Sequence, residues 1–262
     1  MNEHIYDGMT ILITGGAGGF ARSAAPMFAE LGAKLLLTDF DADGLAEHAG
    51  QLRADGVEVA TLSGSVADED HCAETVALAL STYGRLDVAI NNAGMSHAQG
   101  RTADIDSEWA RKTIDINLMG TFYGMKHQLP AMVRAFEEHQ RPAAILNVSS
   151  LAGIGGAPMI AMYSAAKHGV IGLTKSAALE YVRRGIRINA VCPAFARTPI
   201  VTKGLLDGDD DAAKEAHLTR GIPMRRLAEP HEITRSWLWL CDPRNTFMTG
   251  QAVALDGGTS AM

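Results

Sequence analysis

The chain has 262 residues, 47% hydrophobic and 20% charged, enough apolar material to bury a substantial core as one large α/β domain. Its net charge of -7, with no basic run beyond the pairs Arg183-Arg184 and Arg225-Arg226, leaves no electrostatic footprint for a nucleic acid or an anionic membrane, so a small-molecule partner is expected. No basic and apolar leader precedes the first predicted strand and no apolar run approaches the ~20 residues of a membrane span, which predicts a soluble, cytoplasmic protein.

Residues 9–14 form a β-rich apolar run that breaks into Gly15-Gly16-Ala17-Gly18-Gly19-Phe20-Ala21, after which Phe28 and Leu31 continue at helical spacing. Strand, glycine turn and helix in that order bring backbone N–H groups to a helix start, where they can meet a pyrophosphate. A glycine cluster alone is also compatible with a plain βα turn. Residues 34–40 then read as a second strand, and Asp39 stands about 20 residues past the glycines, where a carboxylate can accept from a ribose 2′-OH. Asp41 and Asp43 read as helix-cap or turn residues.

A helix over 41–54, a strand over 57–62 and a helix over 68–83 closed by Gly84 follow. A fourth strand, 86–90, runs into Asn91-Asn92-Ala93-Gly94, which suits a cofactor crevice, although an ordinary polar turn looks similar in isolation. Strands alternating with helices at this period imply a parallel sheet covered on both faces, with ligands beyond the strands' carboxyl ends. Cys72, Cys192 and Cys241 lie far apart in apolar segments and read as reduced core thiols, with no metal site expected.

Residues 109–139 carry a long helical pattern with a break expected before Thr113, and Asn117 places an amide in its apolar face, where a buried amide needs a partner. A fifth strand, 144–148, ends in Ser149-Ser150, and residues 151–160 read as a loop into a helix that runs to Arg184, where Gly185 stops it. In that helix Tyr163 and Lys167, four apart, share one face, so the ammonium can stabilise a phenolate and lower a pKa ordinarily near ~10. A tyrosine tuned that way passes protons at neutral pH.

A strand over 186–191 leads to Pro193-Ala194-Phe195-Ala196-Arg197-Thr198-Pro199. The core pattern then weakens: the acidic run 207–211 reads as solvated surface, and residues 199–225 as a mobile substrate lid. A helix over 230–240 that turns Ile233, Trp237 and Leu240 inward and a strand over 252–255 complete a chain without repeats or linkers, read as one domain over 1–262.

Thr14-Gly15 with Gly19, Asn91-Asn92-Ala93-Gly94, Asn117, Ser150, Tyr163, Lys167, and Pro193 with Thr198 closely resemble the short-chain dehydrogenase/reductase family, in order and spacing over residues 9–258. The resemblance implies a single Rossmann-like doubly wound domain, a seven-stranded parallel sheet flanked by helices on both faces, and a nicotinamide dinucleotide. It also implies a catalytic set of Asn117, Ser150, Tyr163 and Lys167, with spacing from the tyrosine selecting Ser150 over Ser149. In these roles Tyr163 exchanges the alcohol proton and Ser150 holds the substrate oxygen. Lys167 holds the nicotinamide ribose while acidifying the phenol, and Asn117 anchors a water relaying protons to the lysine.

The same resemblance sets the cofactor against Gly15, Gly18, Gly19 and Phe20, then Asp39 and Phe40, then Ser65 and Val66. Asn92, Ala93, Gly94, Tyr163, Lys167, Pro193, Phe195 and Thr198 complete its contacts. Ser150, Ile154, Met159, Tyr163, Phe195, Met95 and His97 fall to the substrate, with Ser96, Ile200 and Leu205 nearby; His97 reads first as a solvent-facing loop residue. Ala21 stands at the family's third loop glycine, Ser65 where many members carry an acid facing the adenine, and Ala194 where glycine usually follows Pro193; none of these removes a catalytic group.

Asp39 predicts NAD, because the 2′-phosphate of NADP would meet its carboxylate, while Arg22 within reach of that phosphate is the counter-argument. The expected reaction is hydride transfer between NAD and a secondary alcohol or ketone, with an apolar cyclic, aromatic or steroid-like substrate. An NADPH-dependent carbonyl reductase is the rival within the enzyme class, and a non-catalytic dinucleotide-binding regulator the alternative outside it. The resemblance further implies a homotetramer assembled through the helices at 113–139 and 162–184.

Overall fold

The computed structural model describes residues 4–96, 98–202 and 211–262. In chain order its elements are β1 (Thr10–Thr14), α1 (Gly19–Glu30), β2 (Lys34–Asp39), α2 (Ala42–Ala54), β3 (Val59–Ser63), α3 (Glu69–Tyr83) and β4 (Val88–Asn91). There follow α4 (Ser107–Ile114), a π-helical turn (Asp115–Met119), α5 (Gly120–His139), β5 (Ala143–Val148), α6 (Ala161–Tyr181) and β6 (Ile186–Pro193). The chain closes with α7 (Pro199–Thr202), α8 (Asp211–Thr219), α9 (Pro230–Cys241) and β7 (Ala252–Leu255).

All seven strands pair in parallel in the order β3-β2-β1-β4-β5-β6-β7. The central strands read as unbroken apolar runs because both faces are covered. Ile11, Ile13, Leu35 and Leu37 pack towards α1, α2 and α9 with Phe28, Leu45 and Trp237, while Leu12 and Leu36 pack towards α3, α5 and α6 with Val76, Met125 and Ala177. Since β2 and β3 lie on one side of β1 and the later strands on the other, the order reverses between β1 and β4. That reversal opens a crevice beyond Thr14 and Asn91.

The punctuation behaves as the residue types dictate. Asp41 caps α2, accepting from Gly44 N, and Asp68 caps α3, accepting from Asp70 N. Gly84 and Gly185 take the left-handed conformation after α3 and after the 3-10 turn that extends α6.

Four expectations are corrected. The helix does not break before Thr113: no glycine or proline interrupts it there, and α4 runs directly into the π turn, whose Gly120 N bonds to Asp115 O and inserts one extra residue instead of a gap. The third strand begins at Val59, because Val57 N is taken by Leu52 O in closing α2. The loop after β5 opens with a 3-10 turn, Leu151–Gly153, capped by Ser150. β6 extends to Pro193, paired with Leu255.

Of the expected lid, residues 203–210 lie outside the described residues, Leu205 and most of the acidic run among them. Among the described residues no helix is long and apolar enough to cross a membrane. Cys72, Cys192 and Cys241 are buried and unpaired.

Candidate active site

β1 delivers the glycine turn into the crevice. Gly15 has φ +68°, and a Cβ there would stand 2.8 Å from Asn92 Nδ2 and 3.0 Å from Ala93 Cα, so only glycine lets the turn seat against the β4 exit. Across that contact Asn92 Nδ2 donates to Thr14 O at 2.8 Å, and Thr14 Oγ1 accepts from the N–H groups of Asn92 and Ala93, both at 3.0 Å. The two strand ends are thereby one unit.

α1 starts immediately after Gly18 with no side chain capping it and no acidic residue in its first turn. Its free N–H donors and the positive end of its dipole fit a pyrophosphate. A Cβ on Gly19 would lie 2.9 Å from Pro199 Cδ and 3.2 Å from Thr198 Cβ, so the buried Thr198 closes over the turn from the β6 side.

Asp39 ends β2 with Oδ2 accepting from Ala17 N at 2.9 Å and Oδ1 from Asp41 N at 3.0 Å. A carboxylate offers about four acceptor sites, so capacity remains for ribose hydroxyls. Arg22 is engaged nearby: Nε donates to Ala17 O at 3.0 Å, and Nη2 to Gly44 O at 3.1 Å and Glu47 Oε2 at 3.0 Å. Phe40 is 81% exposed beside Asp39, Ser65 Oγ accepts from Ala67 N, and Val66 is buried under Gly120.

On the other side of the crevice, Asn117 sits fully buried in the π turn. Its Nδ2 donates to Met95 O at 2.8 Å and Thr113 O at 2.9 Å, and its Oδ1 accepts from Met95 N at 3.3 Å. The amide therefore clasps the chain leaving Gly94. A Cβ on Gly94 would stand 2.7 Å from Asn117 Oδ1 and 3.3 Å from Lys167 Nζ, so amide and ammonium meet across one glycine.

Lys167 is buried, donates from Nζ to Val148 O at 2.8 Å and lies 5.6 Å from the centroid of the Tyr163 ring. Burial pulls its ammonium down from the ordinary 10.5 to about 8, against a smaller opposing influence of Cys192. Burial also pushes the Tyr163 phenol up from its ordinary value, opposed by the side chain of Ser150. This corrects the expected acidification: the cation lies over the ring and gives its bond to a carbonyl, and desolvation of the phenolate wins.

The two serines separate cleanly. Ser149 Oγ is buried and donates to Lys167 O at 2.9 Å, whereas Ser150 Oγ accepts from Ala152 N at 3.1 Å and stands close enough to the phenol to oppose the rise in its pKa. Ile154, Met159, Phe195 and Ile200 expose apolar surface on the segments after β5 and β6. Met159 O accepts from Gly100 N at 2.9 Å, which ties the segments after β4 and β5 together. His97 lies outside the described residues. The partners the sequence could not name are the Val148 carbonyl and the Met95 peptide, because backbone groups carry no residue-type signal.

Residues 15–260 match a family model described as enoyl-(acyl carrier protein) reductase. The chain is 36% identical over 257 residues to a 2,5-dichloro-2,5-cyclohexadiene-1,4-diol dehydrogenase of Sphingobium indicum, covering 97% of this chain and 98% of that protein. It is 33% identical to a cyclohexanol dehydrogenase of an Acinetobacter species, covering 96% and 95%. The crystal structure of a levodione reductase superposes with a TM-score of 0.91 at 34% identity, covering 98% and 99%. The chain belongs to the short-chain dehydrogenase/reductase family. It is an oxidoreductase of the alcohol dehydrogenase type, acting on CH–OH groups with a nicotinamide dinucleotide.

Proposed function

We propose that the protein is an NAD-dependent dehydrogenase that interconverts an apolar cyclic secondary alcohol and its ketone. The observation that carries the reading is the meeting of Tyr163, Ser150 and Lys167 at the carboxyl end of β5, beside the Asn92-Ala93-Gly94 exit that braces the glycine turn. The turn at Gly15, Gly18, Gly19 and Phe20, with the uncapped α1 start, holds the pyrophosphate. Asp39 accepts from the ribose, with Phe40, Ser65 and Val66 at the adenine end. Asn92, Ala93, Gly94, Pro193, Phe195 and Thr198 line the nicotinamide end. When bound, the nicotinamide supplies the hydride acceptor or donor.

Tyr163 takes the hydroxyl proton in oxidation and returns it in reduction, Ser150 orients the substrate oxygen, and Lys167 places a cation beside the Tyr163 ring, with Asn117 fixing the Gly94 approach. A phenol raised by burial is mostly protonated at neutral pH, so it serves reduction there, and oxidation climbs as pH rises.

Asp39 repels a 2′-phosphate by a Coulomb cost on the order of several kcal/mol, and the Arg22 guanidinium that could offset it is committed to Ala17 O, Gly44 O and Glu47. An NAD preference of at least ~100-fold needs only ~2.7 kcal/mol. The exposed apolar side chains of Ile154, Met159, Phe195 and Ile200 favour an apolar ring, as do relatives named for cyclohexanol and a cyclohexadiene diol.

With this reading go one domain over residues 1–262, a substrate lid at about residues 199–225 and a cytoplasmic setting. A homotetramer joined through α5 and α6 goes with it too, since those helices and their extension expose Phe122, Leu179 and Val182. The test is NADH formation from cyclohexanol and related ring alcohols, compared with NADP. Turnover with NAD and weak use of NADP support the reading. No turnover with any ring alcohol overturns the substrate class, and equal or better kcat/KM with NADP overturns Asp39 as the ribose ligand.

A further inference from the structure

Small side chains dominate the buried face of α6: Ser164, Ala166, Ala177 and Ala178 lie beside Val170 and Ile171. Such a face offers few large side chains to interlock with the sheet, so packing alone leaves part of the helix's axial placement to other contacts. Polar bonds supply what shape does not. From the catalytic end inward, Ser164 Oγ donates to Ala152 O at 2.7 Å, Ser149 Oγ to Lys167 O at 2.9 Å, Lys167 Nζ to Val148 O at 2.8 Å, and Asn147 Nδ2 to Thr174 Oγ1 at 2.9 Å. The sequence numbers fall along the β5 side as they rise along the helix, so a slip of α6 by one position breaks the whole series.

The innermost bond is held from behind. Asn147 Oδ1 accepts from Asn91 Nδ2 at 2.9 Å, and Asn91 and Gln128 exchange a reciprocal amide pair at 3.2 and 2.9 Å. Asn147 Nδ2 also donates to Met125 Sδ at 3.3 Å, and Thr174 Oγ1 donates its own hydrogen bond to Val170 O at 2.8 Å. Asn91, Gln128, Asn147 and Thr174 are all at most 4% exposed. Their network crosses β4 and β5 from α5 to α6 and gives every amide nitrogen at least one partner. A buried polar chain satisfied to that degree fixes one arrangement, since any other leaves a desolvated donor unpaired.

We propose that Asn147 and Thr174 are positioning residues for the reaction: they set the axial placement of α6 against β5, and so where Tyr163 and Lys167 stand relative to Ser150 and Gly94. The inference rests on the oxidoreductase reading of that site. Neither residue has a substrate or cofactor role; both act through the helix.

The test uses the full-length protein with Thr174→Val, which keeps the shape and removes the hydroxyl, and Thr174→Ser, which restores it. Four quantities are read: kcat and KM with NAD and cyclohexanol, the NAD dissociation constant, Tm, and the Tyr163 titration. The titration is taken from tyrosinate absorbance as the difference from Tyr163→Phe. Thr174→Val should lower kcat about tenfold or more with NAD affinity within about twofold, because a misplacement of under an ångström already costs that much at a reacting centre. The phenol titration should move by about half a pH unit or more, and Thr174→Ser should restore both.

A Thr174→Val protein with lower Tm but wild-type kcat and titration would show a structural role only and overturn the proposal. If Thr174→Val does not fold, Thr174→Ala removes the same hydroxyl without crowding the site, and a folded Thr174→Ala with wild-type kcat and titration overturns the proposal equally. The titration needs no substrate, so failure of the ring-alcohol assignment is told apart from failure of this one.

Discussion

The two sides of the crevice are built from different materials. At the β1 and β2 ends the proposed binding surface is mostly backbone: the glycine turn, the uncapped start of α1, and one carboxylate, Asp39, held by two main-chain N–H groups. At the β4 and β5 ends it is side chain: Asn117, Ser150, Tyr163 and Lys167, each held by partners that include carbonyls, hydroxyls and peptide groups of other elements. Backbone surfaces bind charge without titrating. Side-chain surfaces can move a proton but must bear the cost of burial, and here that cost appears as a Lys167 ammonium at about 8 and a phenol above its usual value. The difference predicts that binding and chemistry can be damaged separately.

The strongest break should come on the side-chain side. Tyr163→Phe removes only the hydroxyl proposed as acid and base, so turnover should fall by about 10³-fold or more while the fold and dinucleotide affinity stay, as read by steady-state kinetics and a binding titration. Next in size is a pH effect on stability. The folded Lys167 releases its proton near pH 8 while the unfolded chain keeps it to about 10.5, so the unfolded chain holds more protons in that window and stability rises with pH across it. The gain approaches about 3 kcal/mol, an upper figure. It should appear as a urea midpoint that climbs across the window in the wild type and not in Lys167→Met.

On the backbone side the effects are smaller and fall on binding. Asp39→Ala should lower the NAD preference in kcat/KM from at least ~100-fold to ~10-fold or less, through weaker NAD binding and lost repulsion of NADP. Gly15→Ala forces a side chain into the left-handed region and against Asn92 Nδ2. It should destabilise the fold by about 1–3 kcal/mol and weaken dinucleotide binding several-fold, as seen in a melting curve and a binding titration.

The backbone side was also the more legible in sequence. The glycine turn and Asp39 stand out by residue type and spacing, Gly19 and the Asn92 turn gain their meaning from the family resemblance, and Asp41, Gly84 and Gly185 announce element ends. The α/β alternation gave the sheet for the same reason. Strand and helix periods differ, and both faces of β1 and β2 had to be apolar.

What stayed hidden depends on three-dimensional depth. A π turn leaves no glycine or proline behind, so the expected break before Thr113 had no residue to mark its true form. The spacing of Tyr163 and Lys167 gave their shared face, yet it could not say that the ammonium would lie over the ring, or that burial would outweigh it at the phenol. Nor could Arg22 be read as engaged before Gly44 and Glu47 of α2 were seen beside it.

The separation of binding from chemistry is tested most directly by one paired measurement: the NAD dissociation constant and the single-turnover rate of NADH formation at saturating NAD and ring alcohol, in Tyr163→Phe and Gly15→Ala. The account predicts a crossed result, with Tyr163→Phe losing about 10³-fold in rate at a dissociation constant within about threefold of wild type. Gly15→Ala should weaken binding several-fold while its rate at saturation stays within about threefold. If Tyr163→Phe retained its rate within a few-fold, or if both variants lost rate and affinity together, the account would be contradicted.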